Sequence, residues 1–276
     1  MKFRHKTALF FSLLFVLYFA TRLINLTILP IFNDESIYIR YGLHQLYEPS
    51  HKPYSLLIGK EPLMPFLYAL FGALSGNYLV GARFVTVLAG ALTLLGLYLF
   101  SKEITNKRIA LVVSLFYIFA PYTLFFDRLA LMDSAVSTIA IWSLYFTYRL
   151  FHYPQWKDAI SLGLITGIGF WTKSSAWFYV LLPLLSYGVL YLFDDVHEQK
   201  KMHKLKLYGT ALILALIVFL PLFSNEMYAL HLQLLQQYTY PFSSIFTFPV
   251  GVWWKNGSYA IYGSNHIISL HGKGRI

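Results

Sequence analysis

The residues with the strongest claim to chemistry are the adjacent acids of Pro30-Ile31-Phe32-Asn33-Asp34-Glu35-Ser36-Ile37-Tyr38, in a chain with only 12 Asp and Glu among 276 residues. A carboxylate held in place can take a proton from an attacking hydroxyl. Taken alone, two acids at a helix start are equally well explained by the helix dipole, which favours negative charge there. What sets this pair apart is its company: Lys60-Glu61, Arg83, the turn Asp127-Arg128-Leu129-Ala130-Leu131-Met132-Asp133, and Trp171-Thr172-Lys173, all beside long apolar runs. At membrane depth such charges are costly unless paired or facing a polar cavity. Each has a plain explanation as well. Arg83 and Lys173 can snorkel to headgroups, Arg128 can close a turn with Asp127 or Asp133, and Arg22, inside the first apolar run, can snorkel or neutralise a carboxylate.

The elements that must position these residues are helices in a bilayer. Hydrophobic residues make up 57% of the chain and charged ones 12%, with a mean hydropathy of +0.56, so the expected class is an all-α polytopic membrane protein. The net charge of +10 is spread over short segments between apolar runs, without a basic-aromatic module, which argues against nucleic acid. There is no cysteine and hence no thiolate metal site; His44, His51 and the later histidines lack metal-ligand spacing, so no metal or other cofactor is expected and no motif indicates a divalent cation. Apolar runs place about seven transmembrane helices at 8–29, 79–100, 109–126, 134–150, 159–171, 175–193 and 207–223, leaving 62–74 as a short interfacial helix. Lys and Arg then gather in the segments assigned to the cytoplasm, the N-terminus included, as the positive-inside rule requires. The first extracytoplasmic loop, 30–78, holds an amphipathic helix capped by Asn33 and reaching about Tyr47, with Tyr38 one turn after Asp34.

The order of these sites carries a resemblance. An acidic pair after the first helix, Lys60-Glu61-Pro62-Leu63 leading into a short helix, Arg83 at the next span, an Arg-x-Ala-Leu-x-Asp turn and a Thr-Lys corner resemble the GT-C membrane glycosyltransferases of the protein O-mannosyltransferase and aminoarabinose-transferase type. The resemblance covers about residues 3–193. It implies a polyprenyl-phosphate sugar as donor, a lipid, glycan or protein as acceptor, membrane lipids as surroundings, and a plasma (inner) membrane location with an extracytoplasmic site. It further implies Asp34 as catalytic base with Glu35 beside it. Arg83, Arg128 and Lys173 would hold the donor phosphate, and Asp133 and Glu61 would orient those cations or the acceptor; from their own positions, Tyr38 one turn after Asp34 and Lys60 beside Glu61 are expected to line the substrate site. Family members usually continue with further spans, so 1–223 is expected to be the catalytic membrane module and 224–276 an extracytoplasmic tail, the remainder of a longer fold.

The inventory suits that chemistry. A phosphate leaves as an anion that Arg and Lys stabilise directly, so one carboxylate base suffices, and attack opposite the phosphate inverts the sugar carbon. Two other classes compete: a transporter or flippase for a polar or lipid-linked solute, which would place ionisable groups near mid-span or show paired repeats, and a noncatalytic membrane protein, whose charges would be individually replaceable. The clustering of charge at one surface favours the transferase.

Overall fold

The computed structural model describes residues 2–48, 50, 52–193 and 198–238; His51 and the segment from residue 239 onward, with its aromatic and Gly-rich stretches, lie outside the described residues. Among the described residues the fold is all-α, with no strand. The helices are α1 (Lys2–Leu23), α2 (Asn33–Tyr47), α3 (Leu63–Ser75), α4 (Tyr78–Ile104), α5 (Lys107–Phe119), α6 (Pro121–Phe126), α7 (Asp133–His152), α8 (Trp156–Thr172), α9 (Trp177–Phe193), α10 (Glu198–Phe223) and α11 (Glu226–Tyr238).

Local chemistry explains several boundaries. The Asn77 side chain accepts the Leu79 and Val80 N–H groups and starts α4; Asn106 does the same for Arg108 and Ile109 at α5. Two expected spans are interrupted. The run 8–29 stays helical only to Leu23, after which Asn25 takes a left-handed φ of 53°. The run 109–126 breaks at Ala120, which is extended because Pro121 follows it and has no N–H to continue the ladder. The short helix expected at 62–74 is α3.

α4 is the hub, packing against α1, α3, α5 and α7, while α8 packs against α7 and α10, and α2 lies on α3. By length and composition two helices among the described residues can cross a bilayer, Tyr78–Ile104 and the Met202–Phe223 part of α10; Ser12–Leu23 and Leu63–Ser75 are apolar but shorter. Two of the seven expected crossings therefore meet that standard on their own.

The first compact unit runs to Leu232 and a second begins at Gln233. The first unit thus extends past residue 223: Met227 and Tyr228 are buried in a cluster with Leu56, Phe170, Phe219 and Leu222. The packing of α2 on α3 is close enough to exclude a methyl group at Gly42, where a Cβ would overlap the Pro65 carbonyl. Gly42→Ala is expected to destabilise the fold by about 1–3 kcal/mol, seen as a lower melting temperature of the detergent-purified protein.

Candidate active site

The site grows from the first turn of α2. Phe32 is still extended, and the Glu35 carboxylate turns back to accept its N–H at 2.8 Å, closing the helix start. Asn33, expected as the cap, is instead the first helical residue, and Glu35 supplies the capping oxygen. Successive helix residues point about 100° apart, so the two acids diverge: Glu35 is buried and Asp34 is half-buried.

Glu35 meets Arg83 of α4 in a fully buried pair. Oε1 accepts Arg83 Nε at 2.8 Å and the Ala130 N–H at 2.7 Å, while Oε2 accepts Arg83 Nη2 at 2.8 Å. Arg83 donates its remaining N–H groups to the carbonyls of Leu26, Leu29 and Pro30, each at 3.0 Å. Every donor of Arg83 and both oxygens of Glu35 are therefore engaged within the protein. Neither has an open valence for phosphate or an acceptor proton, and the geometry makes the pair a brace, where the resemblance implies Arg83 at the donor phosphate and Glu35 beside the base. Burial works to raise the Glu35 pKa, but Arg83 and the N–H groups of Ala130 and Phe32 outweigh it, and the carboxyl is held below its ordinary range.

Asp34 faces a cavity of about 520 Å³ lined by Asp34, Ile37, Tyr38, Arg40, Tyr41, His44, Ile58 and Lys60. The Tyr38 hydroxyl donates to Asp34 Oδ2 at 3.4 Å, and the Lys60 ammonium lies 5.9 Å from the centre of the Tyr38 ring. Burial, then the charge and hydrogen bond of Asp34, then the charges of Asp133 and Glu61, hold the Tyr38 phenol well above its usual pKa, so it remains a proton donor to Asp34. Tyr41, His44 and Tyr54 form an aromatic series, with ring centres 6.4 Å apart at each step.

The other expected site residues are not among those lining this cavity, although the charges of Asp133 and Glu61 act on Tyr38. Asp133 pairs with Lys173 at 3.3 Å, and about a third of each side chain is exposed. Arg128 donates from Nη2 to the Ile24 and Asn25 carbonyls, covering the frayed end of α1. Glu61 is buried, 3.4 Å from His231 Nε2. His231 Nδ1 faces the Leu56 carbonyl at 3.3 Å, and since a carbonyl only accepts, Nδ1 carries the proton. Among the described residues no group of three or more His, Asp or Glu converges as metal ligands.

Sequence inspection missed Arg40, His44 and His231. The first two were detectable, lying six and ten residues after Asp34 on the same amphipathic helix. His231 had no local signal, because its partner lies 170 residues earlier.

Among the described residues, fold and site define an all-helical protein with two helices long and apolar enough to cross a bilayer and with a carboxylate and cations in one cavity. Residues 52–224, more than half of the chain, match the family model described as dolichyl-phosphate-mannose-protein mannosyltransferase, and the chain belongs to that membrane-integral glycosyltransferase family. No curated protein matches the chain. The matched range contains Lys60, Glu61, Arg83, Arg128, Asp133 and Lys173, whereas Asp34, Glu35 and Tyr38 precede it.

Replacing one partner of the buried pair strands the other. Glu35→Gln is expected to cost about 3–5 kcal/mol in the thermal stability of the purified protein. The pKa of Glu35 is lowered in the folded state, so its contribution is complete above its ordinary value of 4.5 and is lost as pH falls below it. The variant should therefore also show a shallower loss of melting temperature between neutral and acid pH.

Proposed function

We propose that the chain transfers a sugar from a polyprenyl-phosphate donor to an acceptor hydroxyl on a lipid, glycan or protein, with Asp34 as the base. The observation that carries this reading is the placement of Asp34 and Lys60 in one cavity, while Glu35 beside it is fully engaged by Arg83. As the acceptor oxygen bonds to the anomeric carbon, its proton passes to Asp34. The bond from that carbon to the phosphate oxygen breaks, and its electron pair leaves on the phosphate. Attack opposite the leaving group inverts the sugar carbon. The leaving charge is met by cations, and no cofactor enters the reaction as proposed.

Lys60 is the first of these cations. Lys173, steered by Asp133, is the second, and Tyr38 orients Asp34 through its hydroxyl. Arg128 and Glu61 act on the same site indirectly, Arg128 through the end of α1 and Glu61 through α11. Glu35 and Arg83 hold the base in place without touching substrate.

The proposed topology keeps seven crossings, with the N-terminus cytoplasmic and the cavity extracytoplasmic in the inner membrane. Its support is the outward faces of the helices: Val112, Phe116 and Phe119 on α5, Leu181, Leu185, Val189 and Leu192 on α9, and Ile213, Leu216, Ile217 and Leu220 on α10 are all exposed. Such apolar faces suit lipid and are costly in water. On this reading 1–223 is the catalytic module, the start of α11 packs on it, and the remaining residues are the tail of a longer fold.

Two measurements test the proposal. Membranes containing the chain, supplied with radiolabelled polyprenyl-phosphate sugars, should transfer label, and Asp34→Asn should lower transfer by about 100-fold or more; equal transfer by both would remove Asp34 as base. The chain has no cysteine, so single cysteines report sidedness: Ser36→Cys should label from the extracytoplasmic side and Ser101→Cys from the cytoplasm. Labelling of Ser36→Cys from the cytoplasm would overturn the topology.

A further inference from the structure

Arg40 is the arginine whose position in the cavity neither the sequence pattern nor the family resemblance assigns. Among the described side chains, the other arginines are committed or distant. Arg22 donates to the Ile118 and Tyr117 carbonyls and to Thr123. Arg83 has no donor left, Arg128 holds the α1 end, and Arg149 pairs with Asp158 at 3.0 Å. Arg108 starts α5, beyond the far end of α4, a helix of 27 residues and so about 40 Å long. Arg40 is exposed, has no hydrogen-bond or ion-pair partner among the described residues, and lines the same cavity as Asp34 and Lys60.

Spacing along α2 gives this a consequence. Asp34 and Arg40 are six residues apart, an axial rise of about 9 Å, enough for one sugar ring between a base and a phosphate on its opposite face. Arg40 is rotated roughly 120° from Asp34 around the axis, but its long side chain reaches the shared cavity. Tyr38 and Tyr41 line the wall of the same cavity. A guanidinium presents a planar fork that grips two phosphate oxygens at once, which the Lys60 ammonium cannot do.

We propose that Arg40 is a phosphate ligand of this cavity, gripping the phosphate of a polyprenyl-phosphate donor at the end of the cavity remote from Asp34. The inference rests on the transferase reading and adds the residue that the full engagement of Arg83 leaves unfilled. A bilayer headgroup offers the same phosphate chemistry, so the test separates the two sources.

The test is binding of undecaprenyl phosphate, without sugar, to the full chain in phosphatidylcholine nanodiscs, compared among parent, Arg40→Lys and Arg40→Gln. A parallel series replaces undecaprenyl phosphate with phosphatidylglycerol. Arg40→Gln should weaken undecaprenyl phosphate binding about tenfold or more, Arg40→Lys should fall between, and phosphatidylglycerol should show no such ordering. Unchanged undecaprenyl phosphate affinity in both variants, or an equal loss with phosphatidylglycerol, overturns the assignment. Melting temperatures close to the parent's are expected, since Arg40 has no internal partner among the described residues. Binding without sugar is independent of Asp34, so if Arg40 fails here while Asp34→Asn still abolishes transfer, the transferase reading stands without it.

Discussion

The buried pair between Glu35 and Arg83 is the constraint on which the rest of this structure depends. A charge removed from solvent is tolerated only when its partner and every remaining donor or acceptor are satisfied. Arg83 meets that condition by drawing in α2 through Glu35 and the link from α1 through the carbonyls of Leu26, Leu29 and Pro30; Glu35 meets it by also taking the Ala130 N–H of the turn before α7. Four parts of the chain are thereby fixed around one guanidinium. Asp34 is next in sequence to the residue at the centre of this arrangement, so its approach to the cavity depends on how its neighbour is held.

A second buried network does for the first helix and the broken helix what the first does for α2. Arg22 lies 3.6 Å from Asp127, whose carboxylate also accepts from Tyr18, Tyr117 and Ser134. The same guanidinium donates to the Ile118 and Tyr117 carbonyls, which the break before Pro121 leaves without helical partners. In an apolar surrounding every exposed carbonyl needs a donor. The arginines at 22, 83 and 128 supply donors where α1 and α5 stop being helical, and this accounts for much of the arginine at that end of the fold. It also means that Arg83 and Arg128, which the resemblance implies at a phosphate, are engaged by backbone carbonyls of the protein itself.

Much of the fold was legible because helix-forming signals are local. The span expected at 79–100 became α4, the short run at 62–74 became α3, and the surface helix through Asp34 became α2. Other features lie beyond a reading of hydropathy. The breaks at Leu23 and Ala120 interrupt runs whose hydropathy is continuous, the second at Pro121, a local signal that hydropathy alone passes over. The extension of the first unit to α11 rests on Tyr228 and on His231 meeting Leu56 and Glu61, contacts that join positions far apart in the chain.

By itself the sequence determined the class: a chain with 57% hydrophobic residues and long apolar runs divided by basic segments belongs in a membrane as helices. It also set out which residue types border the long apolar runs, since composition and hydropathy are additive along the chain. Only the tertiary structure decided which of two adjacent acids faces the cavity. Asp34 and Glu35 differ by one residue and therefore by about 100° around the helix. The choice between them was made by how α2 docks on α3 and by Arg83, which is 48 residues from Glu35 in sequence and 2.8 Å from it in the fold. Arginine roles divided in the same way, because a guanidinium binds whatever acceptors the packing brings to it, and the sequence does not contain those distances.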